Sequence, residues 1–360
     1  MTGLKEKLEI LQKKAKERTV RTQTIEYDLE TLVKKIDKNI IKLNPEYQRN
    51  HRWTDDFSSR LIESLILNIP VPFVYISQDV DVDDDVDDDI ARYSVIDGQQ
   101  RLTAVHGFFK NKYCLQGLDV LTDLNNAYYR DLPPFLVRRL EERTIRCLRI
   151  DSTLDGQVKY DIFERLNSGS VKLEPQELRN ATCRGPFKQL IKELAKNQNF
   201  VAACQLDPEG KRVKKMEDEE LVLRFFAISH ENGYKEYRGG FKSFLTEKMQ
   251  EFNSFDQSTI DEMRHDFEDA FSHINAANDE APFAKYKSEE NQLKRMSKFN
   301  AAVFDSLVLA VVNSKKDIPL NLESFRELFN DQEYFSSVEG SVNDVSKLAT
   351  RISKGLEAVK

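Results

Sequence analysis

The sequence predicts a small mixed α/β domain followed by a helical domain, an α+β arrangement in which sheet and helix signals are largely segregated along the chain. Three observations carry this: two short β-rich runs at residues 73–77 and 92–96, an abrupt change from strand to helical spacing at Asp97, and helix-period apolar runs throughout the region beyond Met216. The 360 residues are 40% hydrophobic and 32% charged, with 13 Gly and 10 Pro. That is enough apolar material for one large or two ordinary domains, and it excludes a disordered or low-complexity chain.

Taken in order, residues 1–24 read as a lysine- and glutamate-rich helical extension, 25–182 as the α/β domain and 183–360 as the helical domain. Helical spacing covers residues 29–36 and 57–69, where Phe57, Leu61, Leu65 and Ile62, Ile66, Ile69 recur at three and four. Thr54 stands at the N-cap of the second helix, Asp55 and Asp56 suit the positive end of its dipole, and Pro70 is read as its stop. The strands at 73–77 and 92–96 flank residues 79–89, where eight of eleven residues are aspartate. A calcium loop beginning at Asp79 would need Gly and Glu where Asp84 and Ile90 stand, so the tract reads as a solvated loop. It also accounts for the net charge of -7. Without it the chain has no strong charge of either sign, and the basic excess of a nucleic-acid-coating protein is missing.

After Ile96 the segment Asp97-Gly98-Gln99-Gln100-Arg101 leads into Leu102, Val105, Phe108 and Phe109 at helical spacing, a strand, turn and helix in succession. Pro133 and Pro134 open a basic helix with Arg138, Arg139 and Arg143 beyond them, and residues 144–150 read as a strand. Residues 163–169 end a helix in a glycine turn, and 174–181 begin the next behind Pro175. Beyond Met216 the chain reads as wholly helical, with apolar runs at 221–228, 241–249, 303–312 and 325–329. No run approaches the roughly 20 apolar residues of a membrane span, and residues 4–20 are too charged for a signal core. Cys114, Cys147, Cys183 and Cys204 contain no C-x-x-C pair. Reduced thiols in a cytoplasmic protein, with no disulfide and no structural zinc, are expected.

Three clusters could carry chemistry. At the 97–101 turn, free N–H groups of a helix start, the flexible Gly98 and the bidentate fork of Arg101 together suit a phosphate. Asp97 could hold Mg2+ and Gln100 could position a water. The alternative is that Asp97 only caps the helix. In the second cluster, Tyr47, Gln48 and Arg49 lie near His51, Arg52 and Trp53, and the indole either stacks a base or staples the entrance of the Thr54 helix. The third, around Arg165 and Asn167, is either a helix end or the lining of a site. His106, one turn beyond Arg101, reads as a helix-surface or core imidazole. No P-loop, G-x-G-x-x-G, H-E-x-x-H or G-x-S-x-G pattern occurs.

The motifs Tyr47-Gln48-Arg49, Leu61-Ile62-Glu63-Ser64-Leu65, Ile69-Pro70-Val71-Pro72, Ile96-Asp97-Gly98-Gln99-Gln100-Arg101-Leu102-Thr103, Phe163-Glu164-Arg165-Leu166-Asn167-Ser168-Gly169 and Glu177-Leu178-Arg179-Asn180, in that order, resemble the N-terminal domain family of GmrSD-type restriction enzymes. The resemblance implies a ParB/sulfiredoxin-like fold for the α/β domain and a nucleotide-binding, NTP-hydrolysing role in phage defence or modification-dependent restriction. Under it, Asp97, Gln100 and Arg101 are the catalytic candidates, and Tyr47, Gln48, Arg49, Gly98, Gln99, Arg165 and Asn167 the nucleotide-binding ones. A nucleoside triphosphate is the ligand, with Mg2+, and the partners are DNA, a nuclease subunit or another defence protein. The chain ends in helices with no histidine- and asparagine-containing nuclease pattern. A nuclease or nickase activity within the same domain and a non-catalytic interaction module are the competing readings.

Overall fold

The computed structural model describes residues 21–43, 53–78, 92–150, 156–166, 174–183, 185–290, 292–314, 320–340 and 342–358. Tyr47, Gln48, Arg49, Asn167, the 79–89 tract and residues 1–20 of the N-terminal extension lie outside the described residues. The chain divides into two compact units, 1–173 and 174–360.

The first unit is mixed α/β, as the sequence predicts. Strands β1 (Thr22–Asp28), β2 (Ile41–Lys42), β3 (Val74–Gln78), β4 (Tyr93–Asp97) and β5 (Thr144–Ile150) form one sheet in the order β1-β5-β3-β4-β2. The pairs β1/β5 and β3/β4 are antiparallel, whereas β3/β5 and β2/β4 are parallel. Helices α1 (Leu29–Asp37), α2 (Asp55–Ile66), α3 (Gln99–Phe109) and α4 (Pro134–Glu141) pack among themselves. Ile62, Leu65, Leu102, Val105, Phe108 and Leu140 meet Val74, Ile76, Val95 and Ile145 in one apolar core. Helix α5 (Gly156–Leu166) packs on β4.

Two local readings need correction. Helix α2 stops at Asn68, not Pro70. Asn68 takes a left-handed φ of 63°, and the N–H groups of Asn68 and Ile69 return to Leu65 O and Ser64 O at 3.2 and 2.8 Å, a Schellman closure. Thr54 does occupy the N-cap, but its hydroxyl makes no capping bond.

One carboxylate of α2 organises a long connection. Glu63 is buried, and its oxygens accept the main-chain N–H groups of Asp119, Val120 and Leu121 at 3.2, 2.8 and 2.7 Å. Burial works to raise its carboxyl, but the three donors outweigh it and hold the group below the usual glutamate value.

The second unit is largely helical. Its helices are α6 (Pro175–Thr182), α7 (Pro186–Leu194), α8 (Gln198–Ala203), α9 (Lys211–Lys214), α10 (Glu217–Ser229), α11 (Phe241–Phe252), α12 (Gln257–Ala276), α13 (Ala301–Val312), α14 (Leu322–Glu327), α15 (Gln332–Ser337) and α16 (Val345–Ala358). Phe187, Phe225, Phe226, Phe267 and Phe271 stack edge-on or tilted through its core. Helices α13 and α16 touch closely at Gly355, where a Cβ would stand 3.0 Å from the carbonyl oxygen of Ser306. The expectation of helix alone fails in one place: β6 (Lys285–Glu289) and β7 (Gln292–Ser297) form an antiparallel hairpin. Its residues are mostly charged and polar, so no β-rich run announces it.

Helix α6 begins in a reciprocal cap, Glu174 N donating 2.7 Å to the Glu177 carboxylate. Arg179 then reaches Gln176 and Glu220 at 2.7 and 2.9 Å, and Asn180 donates to Glu219 at 2.5 Å. These polar residues of the 177–180 motif are buried and tie α6 to α10. Deeper in the core, fully buried Asp305 accepts from both Arg224 and Arg351, each through a 2.6 Å bond to Oδ2, and Arg224 also reaches Oδ1. Among the described residues no helix is long and apolar enough to cross a membrane.

Two stability outcomes follow. Asp305→Ala would leave two buried guanidinium groups facing each other, and denaturant unfolding should register a loss of about 3–5 kcal/mol. Glu63→Gln should remove about 1.5–3 kcal/mol at neutral pH, the range for hydrogen bonds to a charged group. Because the folded Glu63 carboxyl is depressed, its contribution is present above the ordinary glutamate pKa and is lost as pH falls through the lower folded value. The gap between wild type and Glu63→Gln should therefore close on acidification, and a gap independent of pH would contradict the charge argument.

Candidate functional site

The turn at Asp97 is built by three local constraints. Tyr75 pairs with Asp97 while Ile76 pairs with Val95, so Ile96 is the extra residue of a bulge immediately before the turn. Gly98, the N-cap of α3, has a φ of +95°. A Cβ there would sit 2.9 Å from Val74 Cγ2 and 3.2 Å from Arg101 Nη2, so both the backbone and the space require glycine. The third constraint is Arg101 itself. Nη2 donates to Asp97 Oδ2 at 2.7 Å, and Nη1 donates to the carbonyls of Pro72 and Phe73 at 2.5 and 3.0 Å.

These contacts decide what the turn's side chains are doing. Asp97 does not cap the helix; its carboxylate faces Arg101, and the two side chains are 23% and 12% exposed. The guanidinium is turned back onto the chain leading into β3. Pro70 and Pro72 hold that stretch extended and supply no main-chain donors, which leaves its carbonyls for a side chain. The Pro-Val-Pro spacing was the available sequence signal for this contact.

Gln99 is buried, and Gln100 Oε1 accepts the main-chain N–H of Trp53 at 3.2 Å. Trp53 and the 97–101 turn, forty-seven positions apart at this bond, therefore meet at Gln100. Trp53 is 37% exposed. It precedes the Thr54 N-cap, and the position it would staple is Ser58, which offers no apolar partner; the staple reading fails. Arg165 lies near the C-terminal end of α5, exposed, on the helix that packs against β4. The structure thus brings Trp53, Gln100, Arg101 and Asp97 together and puts the Arg165 helix on the same strand.

His106 is a surface tie: its Nε2 lies 3.0 Å from Asp37 Oδ1, and Lys110 Nζ donates to the other oxygen at 2.6 Å. The bond from Lys110 leads in holding the Asp37 carboxyl below its ordinary value. Cys147 pairs with Val74 across the sheet and is buried, which pushes its thiol up to about 12 although Arg101 acts in the opposite sense. Such a thiol is no nucleophile at neutral pH. Among the described residues no group of three His, Cys, Asp or Glu side chains could hold a metal ion.

With three bonds to the chain, Arg101 acts as a strut. Arg101→Ala should cost about 3 kcal/mol of folding stability, since it leaves Asp97 and two carbonyls without their donor. Arg101→Lys can reach one acceptor but lacks the planar fork, and should recover part of that loss. Thermal and denaturant melts of both variants measure this, and a melt unchanged by Arg101→Ala would contradict the strut.

No curated relative and no solved structure matches the chain. Residues 29–183 match the family model described as GmrSD restriction endonuclease, N-terminal domain, and this stretch, which holds the whole 97–101 turn and strands β2 to β5, is a domain of that family.

Proposed function

We propose that this domain binds a nucleoside triphosphate at the 97–101 turn and hydrolyses it as the nucleotide-driven part of a restriction system acting in phage defence. The family match supports the setting: a restriction-system domain. The observation that carries the reading is the hydrogen bond from Trp53 N to Gln100, which holds Trp53, four positions after Arg49 in the sequence, at the start of α3. A helix start offers N–H groups and a positive dipole end to phosphate oxygens. In this reading Tyr47, Gln48, Arg49, Gly98, Gln99, Arg165 and Asn167 surround the nucleotide, Gln100 orients the attacking water, and Arg101 fixes the turn through Asp97.

Asp97 is the single carboxylate of the turn, and one of its oxygens already accepts from Arg101. Asp97 would hold Mg2+ together with the phosphates of the nucleotide, and the ion would there neutralise phosphate charge. DNA and a separate nuclease subunit are the partners such a module would serve.

The inward turn of the Arg101 fork favours a second reading, a non-catalytic module that docks another defence subunit. Titration of the full chain with fluorescent ATP and GTP, together with phosphate release in the presence and absence of duplex DNA, separates the two. Gln100→Ala should weaken nucleotide binding by about 1 kcal/mol, roughly fivefold, with an unchanged melt. Folded wild-type protein that binds neither nucleotide would sink the hydrolase reading and leave the docking module.

A further inference from the structure

The β6–β7 hairpin is an unusual element for the unit it belongs to. Its inner face is anchored by Tyr286, which packs edge-on against Phe329 with centroids 5.6 Å apart, and by Leu293, which rests on the core; at the start of the strand, beside the register shift, Lys285 is buried against Glu339 at 3.2 Å and over the Phe335 ring. The other face is directed outward. There Lys287 and Lys294 stand directly opposite each other in the ladder and are 51% and 78% exposed.

Like charges directly across a strand pair destabilise it, and their Cβ atoms stand only about 5 Å apart. Glu289 offsets part of this, lying 3.1 Å from Lys287 and 3.9 Å from Lys294. It is one carboxylate against two ammonium groups. The same strand continues into exposed Arg295, Met296 and Lys298. At its exit the Arg212 guanidinium lies over the Phe299 ring, 4.0 Å from the centroid, which brings helix α9 with exposed Lys211 and Lys214 alongside. Of the nine Lys and Arg in residues 211–215 and 285–298, Lys285 is buried and Arg212 and Lys215 pair with Glu217 and Glu174, which leaves six others, all exposed, against Glu289 and Glu290. The Arg212–Phe299 contact thus joins a second basic segment, seventy positions earlier in the chain, to the foot of the ribbon.

We infer that this ribbon is a phosphate-backbone contact for duplex DNA. The cross-strand lysine pair works against the hairpin, and a polyanion laid along the outer face would relieve its repulsion. A two-stranded ribbon has the width that the major groove of B-form DNA admits, whereas the deep, narrow major groove of A-form RNA does not take it. The contact is to phosphates, so it carries affinity and positioning and no sequence preference.

The test is fluorescence anisotropy of the full chain with a labelled 20-base-pair DNA duplex, without nucleotide, over a series of salt concentrations. Lys287→Gln with Lys294→Gln should weaken binding about tenfold at low salt and reduce the slope of log affinity against log salt by about 1.8, because two phosphates are no longer neutralised. The double variant should melt at or above the wild-type temperature, because the repulsive pair is gone. Lys196→Gln with Lys235→Gln, two exposed lysines elsewhere in the unit, should leave affinity and slope unchanged. An unaltered slope in the hairpin variant, an equal loss in the control, tighter binding to duplex RNA than to DNA, or no duplex binding by wild type would each overturn the assignment.

Discussion

Everything at the candidate site depends on the three bonds of Arg101. Strand β4 must end, bulge at Ile96, pass through a left-handed glycine and begin a helix within four residues, and none of those steps is self-supporting. The guanidinium fastens the turn from both sides, to Asp97 before it and to the Pro72 and Phe73 carbonyls across from it. Because α3 starts at this turn, the same contact sets the angle at which Leu102, Val105 and Phe108 enter the core. Glu63 does the complementary job on α2. There a buried anion gathers loop N–H groups, as here a cation gathers loop carbonyls. In both cases an irregular stretch is defined by one long side chain from a helix.

How much of this the sequence disclosed depended on whether the deciding interaction was local. β5, α3 and the start of α6 behind Pro175 follow from periodicity, Pro placement and spacing, and the structure has them where those signals lie. β1 was invisible because its residues are mostly exposed and its strand state comes from pairing with β5, more than a hundred positions away. The hairpin of the second unit was missed for a related reason: its two anchors, Tyr286 and Leu293, are too few to make a pattern. At the site, Gly98 and the strand-to-helix change were legible, but the direction of the Arg101 fork was not. Side-chain direction at a turn is set by the tertiary partner, and the Pro72 carbonyl lies twenty-nine residues back in the chain.

The second unit shows a different solution to burying polar groups. Arg179 donates through Nη1 to Gln176 and Glu220, Asn180 donates to Glu219, and Asp305 accepts from two arginines. Replacing such a network with apolar side chains of equal volume is often neutral or stabilising, so its presence is not explained by net stability. What it does supply is register. Asp305 can accept from Arg224 and Arg351 together only when α10, α13 and α16 stand at one axial setting, whereas an aromatic core of this size tolerates sliding. Gly355 reinforces that setting, since the close approach at Ser306 leaves no room for a Cβ there.

The clasp also determines what ligand binding at the turn can involve. A loop that orders only around its ligand gives up part of the binding free energy to conformational entropy, roughly 1–2 kcal/mol for each residue fixed. Here Asp97 to Arg101 are already held by side-chain bonds made within the unit, so that loss is borne by folding. The consequence is directional. An arginine that leaves its carbonyl acceptors to grip a phosphate would loosen the turn whose N–H groups the same phosphate requires, and the two sources of affinity would oppose each other. An arginine that stays in place keeps those N–H groups aligned. In the proposed function a phosphate at this turn would therefore be best held by the backbone of α3 and from the Trp53 side, with Arg101 acting at one remove.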